Sequence, residues 1–159
     1  MWNRKEPFLS GADAVRVRRV LFLNGVPGEE IEDAMQEIEL RALQHPPRGA
    51  ARGAWGCAVA TNLAMDGHRR SARRDGVAPP MVTPTQAREG DAVALRDAVR
   101  AGLDRLAPEL RATVVLRFYA DFTISQIAAA MTVPEGTVKS RLHRAVAELR
   151  TTLPEGLLR

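Results

Sequence analysis

Apolar side chains recur along this chain at helical spacing. The clearest stretch is Glu29–Leu43, where Ile31, Ala34, Met35, Ile38 and Ala42 fall at i, i+3, i+4, i+7 and i+11. That spacing lines one face of an α-helix with apolar groups. Val15–Leu23, just before it, is a short apolar and basic segment that reads as helical, ended by the turn cluster Asn24-Gly25-Val26-Pro27-Gly28. His45-Pro46-Pro47-Arg48-Gly49 stops the second helix. Trp55–Arg70 predicts a third, with Trp55, Val59 and Leu63 stacked four apart.

The pattern resumes near Asp91, where Leu95, Val99, Leu103 and Leu106 mark another helix. Pro108 suits the first turn of the next, which runs to about Tyr119 and carries Val114, Val115 and Phe118. Thr123-x-x-Gln126 is a capping-box pattern opening a helix over Ser125–Met131. Thr132–Pro134 forms a turn, and a last helix from about Glu135 to Thr152 is expected to bury Val138, Leu142, Val146 and Leu149. No stretch alternates as a strand does, so the expected fold is all-α. Residues 71–90 hold three prolines, two glycines and few large apolar side chains, too little to order themselves. The chain is therefore expected to form two small helical domains, 1–74 and 93–159, joined by a flexible linker, 75–92. Each core would be thin, so docking of the halves or a large partner would help them.

Composition narrows the function classes. Aromatics make up 4% of the 159 residues, which argues against an aromatic-rich β-sandwich. The formal net charge is +4, and 21 of the 23 basic residues are Arg. Arg binds phosphate as a planar fork, so this excess permits nucleic-acid contact without proving it. One cysteine, Cys57, and three widely spaced histidines (His45, His68, His143) offer no disulfide framework and no zinc pattern. No metal or cofactor is expected. No apolar run approaches the roughly 20 residues of a membrane span, and the start of the chain lacks a signal-peptide core. A reducing, cytoplasmic setting without membrane insertion is the expectation.

Placement of charge says more than its total. Thr123–Arg150 reads as a helix–turn–helix, whose second helix carries Val138/Leu142/Val146/Leu149 on one side and Lys139, Ser140, His143 and Arg144 on the other, with Thr137 and Arg141 beside them. Cations in the first turns of such a helix suit a DNA major groove. The bland alternative is a core helix pair with a solvated basic face. Residues 29–39 hold six acids (Glu29, Glu30, Glu32, Asp33, Glu37, Glu39) and no base. That patch repels DNA and should face a basic protein or, equally simply, solvent. No His partner or phosphate loop accompanies it, so acid–base or metal chemistry has little support. Trp55–Arg74 carries Asn62, Asp66, Arg69 and Arg73 on its non-core side, with Arg70 and Arg74 beside them. Asn among Arg suits base edges flanked by phosphates, although cations at a helix C-terminus also simply favour the macrodipole. Cys57 reads as a small packed side chain.

These stretches resemble a known family, the group IV or extracytoplasmic-function (ECF) sigma factors of bacterial RNA polymerase. Glu32-Asp33-Ala34-Met35-Gln36-Glu37-Ile38 looks like region 2.2. Ala54-Trp55, Ala60-Thr61-Asn62-Leu63-Ala64-Met65-Asp66 and Arg69-Arg70 are similar to regions 2.3 and 2.4. Leu106-Ala107-Pro108-Glu109 with Val114-Val115-Leu116-Arg117 resembles region 4.1, and Pro134-Glu135-Gly136-Thr137-Val138-Lys139-Ser140-Arg141-Leu142 resembles region 4.2.

The resemblance implies a division of labour. Asp33, Gln36, Glu37 and Arg41 would dock on the clamp helices of the polymerase's largest subunit. Asn62, Asp66, Arg69, Arg70 and Arg73 would bind the −10 element, helped by Arg48 and Arg52 of the loop before them, which would capture a flipped base. Thr137, Lys139, Ser140, Arg141, His143 and Arg144 would read the −35 element. The domain holding them would touch the flap of the second-largest subunit, and an anti-sigma protein would block these surfaces.

Some positions depart from the family's pattern. Residues 1–14 lack the usual amphipathic start, which would weaken region 2. Thr132 stands where Gly is usual and is strained if the turn needs φ > 0. The loop His45–Arg52 has no aromatic to stack on a flipped base. Nothing long follows Arg150, so no C-terminal sensing domain is expected. The expected activity is promoter recognition without catalysis. The alternatives are a free-standing helix–turn–helix regulator and a sigma-like adaptor that does not bind promoters.

Overall fold

In a computed structural model of the chain, residues 5–49, 51–76 and 91–153 are described. The tether expected over residues 75–92 thus lies mostly outside the described residues. Seven α-helices and no strand occur among the described residues: α1 Gly11–Leu23, α2 Gly28–Gln44, α3 Arg52–Asp75, α4 Asp91–Arg105, α5 Pro108–Val114, α6 Ile124–Met131 and α7 Glu135–Thr152. One π-helical turn, Val115–Tyr119, extends α5.

Helices α1, α2 and α3 form a three-helix bundle. Val17, Val20 and Leu21 of α1 are fully buried, as are Ile38 of α2 and Cys57 and Ala60 of α3. The buried stripe of α3 is made of small residues, Gly53, Gly56, Cys57, Ala60, Thr61 and Ala64, with Met65. Trp55, Val59 and Leu63, the stripe expected from spacing, are only half-buried at its margin. Small side chains let α1 lie close: a Cβ on Gly56 would come within 2.8 Å of Val17 Cγ2. The chain before α1 also belongs to this core, against expectation. Phe8 and Leu9 are buried, and their backbone N–H groups donate to the Glu39 carboxylate at 2.7 and 2.9 Å. The Phe8 ring meets Trp55 edge-on at 5.2 Å.

The second half is built around α7, against which α4, α5 and α6 pack. Val138, Ala145 and Leu149 are the buried residues of α7. Leu142 and Val146, expected inside, are half-buried, while Ala145 joins Val138 and Leu149 in the buried row at i, i+7 and i+11. At the start of α4, Val93 and Leu95 are exposed, whereas Leu103 and Leu106 are buried. The π turn widens the spiral, buries Leu116 and leaves Phe118 exposed, contrary to its expected place in the apolar stripe.

The two halves share one apolar cluster. Val17, Val20, Leu21 and Met65 belong to the same group as Ala112, Val115, Leu116, Ile127 and Met131. A smaller cluster gathers Leu103, Leu106, Leu110, Val114, Ala145 and Leu149, with Leu23 of α1 against it. The two thin cores have thus been merged by docking.

Candidate nucleic-acid interface

The helix–turn–helix is set by two local devices. Thr123 Oγ1 accepts from the Gln126 N–H at 3.1 Å while Gln126 Oε1 accepts from the Thr123 N–H at 2.9 Å, so the expected capping box starts α6. At the other end Thr132 takes φ 54°, ψ 50°, and Val133 N–H donates to Ala128 O at 3.0 Å. This is a Schellman closure with a β-branched residue in the left-handed position, which favours glycine. Pro134 then precedes α7 in extended conformation.

The turn aims the first turns of α7 outward. Lys139, Ser140, His143 and Arg144 are exposed, and Thr137 and Arg141 are half-buried beside them. Ser140 Oγ donates to Thr137 O at 3.0 Å, and Arg144 pairs with Glu148 at 3.1 Å across one turn. Six residues predicted from sequence are therefore brought onto one side of one helix. Lys139 and Arg141 stand there without an ion-pair partner among the described residues.

On α3 the picture differs. Asp66, Arg69, Arg70 and Arg73 are exposed, with Arg69 paired to Asp66 at 3.2 Å. Asn62 was expected on the open face, yet it is half-buried and its Nδ2 donates to Ala130 O of α6 at 3.0 Å. Arg48 is exposed in the loop before α3. Arg52 is not free either, since its guanidinium lies 5.4 Å from the centre of the Phe8 ring. His68 Nε2 donates to Asn24 O at 2.7 Å, tying α3 to the end of α1. Cys57 is fully buried, and burial pushes its thiol pKa up to about 11, which fits a packed, unreactive side chain.

The acidic patch of α2 is divided by use. Asp33 and Gln36 are exposed, and Glu37 is partly exposed and pairs with Arg41 at 2.8 Å. Glu32 pairs with Arg18 of α1 at 2.8 Å, and that hydrogen bond holds its carboxyl below the usual range. Glu39 faces inward onto Phe8 and Leu9. The negative surface therefore centres on Asp33 and Glu37, beside the exposed neutral Gln36, with Glu29 and Glu30 exposed at its start. No cluster of three His, Cys, Asp or Glu suited to a metal occurs among the described residues. No described helix is long and apolar enough to cross a membrane.

The sequence left one functional-looking residue unmarked. Arg111 of α5 is buried, with its Nε donating to Leu23 O of α1 at 2.5 Å and its Nη2 to Asp104 of α4 at 2.5 Å. Its only sequence signal is an Arg inside an apolar helix.

Residues 102–151 match the family model for sigma-70, region 4. The chain is 38% identical over 155 residues to the ECF RNA polymerase sigma factor SigL of Mycobacterium tuberculosis, covering 89% of this chain and 84% of that protein. It is 32% identical over 143 residues to SigM of the same species, covering 87% and 71%. Among solved structures it is similar in fold to the sigma factor RpoE of Bartonella quintana, determined in complex with the anti-sigma factor NepR. That match has a TM-score of 0.69 at 22% identity and covers 91% of this chain and 93% of the other.

Proposed function

The chain belongs to the extracytoplasmic-function sigma factors of RNA polymerase, and on that premise we propose how its helices divide the work of a promoter-specificity subunit. Helix α2 docks on the clamp helices of the polymerase's largest subunit through Asp33, Gln36, Glu37 and Arg41. Helix α3 takes the −10 element through Asn62, Asp66, Arg69, Arg70 and Arg73, with Arg48 and Arg52 at the flipped base. Helix α7 enters the major groove at the −35 element with Thr137, Lys139, Ser140, Arg141, His143 and Arg144. The second half also meets the flap of the second-largest subunit. An anti-sigma protein covers these surfaces until the inducing signal removes it. The protein acts in the cytoplasm by binding alone and catalyses no step itself.

The observation that carries this reading is the opposite polarity of two displays. Acids of α2 face outward on one half, and the cations of α7 face outward on the other. Electrostatic complementarity then gives each display one class of partner, a basic protein surface and a phosphate backbone. Melting adds a cost of a few kcal/mol per flipped base, which contacts in a pocket offset.

The test is run-off transcription with purified core polymerase. Promoter-specific transcripts are expected only when this protein is added. Tight binding to a palindromic duplex in the absence of polymerase, with no effect on transcription start, would instead identify a free-standing regulator.

A further inference from the structure

We propose that the chain masks itself: the second half sits on the base-reading end of α3, and Arg111 is the clasp that holds it there. The proposal rests on the reading of Asn62 as a promoter contact. The Asn62 amide is the group on α3 best suited to a base edge. One of its two N–H donors goes to Ala130 O of α6, inside the same molecule, and holds the side chain half-buried at the seam.

The clasp is specific. The Arg111 side chain is 8% exposed. It joins the carbonyl of Leu23, the last residue of α1, to Asp104 of α4. A helix C-terminus favours a cation, and Asp104 balances the buried charge. Gly25 makes room for it, since a Cβ there would lie 2.8 Å from Arg111 Nη1. Two further cations cross the seam. Arg100 lies over the Phe22 ring at 3.6 Å, and Arg16 donates to the Ala120 carbonyl. Opening would leave Arg111 with Asp104, which lies on the same half, and would break its bond to Leu23 O together with the Arg100–Phe22 and Arg16–Ala120 contacts, so the seam resists opening until another partner replaces them.

The mask is partial. Asp66, Arg69, Arg70 and Arg73 stay exposed, as do Lys139, Ser140, His143 and Arg144 of α7. The closed chain can therefore hold phosphates and enter a −35 groove, but it cannot read the −10 strand. Phosphate contacts position a protein, and base contacts specify the sequence.

The experiment compares the full-length wild type with Arg111→Ala and, separately, Ala130→Gln, which adds bulk at the seam and removes no proposed DNA contact. Small-angle scattering reports opening. Selection from a randomised single-stranded DNA pool reports base reading. The wild type should scatter near the radius of roughly 15 Å expected for a compact chain of this length and enrich no motif. Both variants should be larger and bind an enriched motif about tenfold more tightly than the wild type, as release of a mostly closed population requires. An already expanded wild type, a wild type that enriches the same motif, or two folded variants as compact as the wild type would each overturn the proposal. Expanded variants that enrich nothing would refute the role of Asn62 and leave the clasp standing. Should Arg111→Ala lose its helical circular dichroism, Ala130→Gln decides alone.

Discussion

Helices α3 and α7 both present a run of cations, yet they stand in different states of readiness. On α7 the whole predicted set lies at or near the surface, with only Arg144 drawn into a local ion pair. On α3 the cations are equally open, but the amide proposed to discriminate bases is half-buried and tied by one N–H to α6. Their undersides differ too. Helix α7 rests on Val138, Ala145 and Leu149, whereas α3 rests on glycines, alanines, a threonine and a thiol. Density of charge therefore does not measure availability for recognition. It shows where phosphates can be held, and tertiary packing decides which helix can read.

The comparison can be broken hardest at the docking surface proposed for α2, on which both helices would depend. Asp33→Arg with Glu37→Arg replaces two acids at the centre of the α2 patch with cations. Like charges at an interface cost several kcal/mol, so co-purification with core polymerase should fall by about a hundredfold or more. An unchanged circular dichroism spectrum would show that the fold survives, and retained co-purification would refute the docking surface.

A smaller effect separates the reading groups of α7. Lys139→Ala should weaken binding to the −35 duplex by about 1–3 kcal/mol if the side chain contacts a base. Arg70→Ala on α3 should weaken binding evenly across sequences and lower the salt slope by about one. Equal losses on every sequence for both variants would erase the distinction drawn between the two helices.

The undersides can be tested by stability. Gly56→Ala places a methyl against Val17 and Leu9, and overpacking of this kind costs about 1–3 kcal/mol in thermal or urea unfolding. Cys57 gives α3 an alkaline weakness that the underside of α7 lacks. Its thiol pKa is raised to about 11 by burial, from an ordinary 9.0. The folded state then holds the proton that the unfolded chain gives up, so its stabilisation is complete below about pH 9 and lost as pH climbs to about 11, roughly 3 kcal/mol in all. Cys57→Ala should flatten that part of the stability–pH curve.

The smallest effect is expected at the turn before α7. Thr132→Gly relieves a left-handed β-branched residue and should raise stability by about 1 kcal/mol, read as a higher Tm with unchanged DNA binding. A lower Tm would mean that Thr132 makes a contribution its backbone geometry does not reveal.

Much of this was legible in the chain itself. Pro108, the Thr123/Gln126 box and the Thr132–Pro134 turn act over a few residues, so elements set by them lie close to their expected bounds. The acidic and basic displays were legible for the same reason, since charges at helical spacing share a face whatever lies behind them. The buried stripe of α3 was not, because Gly and Ala carry almost no hydropathy signal and matter only once α1 approaches. Nor was the π turn, whose extra residue shifts Phe118 outward by a change in backbone hydrogen bonding. The bonds of Arg111 and Asn62 left no local signal, because their partners, Leu23 and Ala130, lie 88 and 68 positions away. Contacts so distant follow from how the halves meet, which no local pattern encodes.

The merged apolar cluster bears on how such proteins can be recombined. A hybrid that joins the first half of this chain to the second half of a relative inherits a seam between Val17, Val20 and Met65 on one side and Val115, Leu116 and Ile127 on the other. Unless those surfaces are transplanted together, the hybrid is expected to sit ajar at rest. Exchange of promoter preference by cut-and-paste would then alter the resting silence of the factor along with its target.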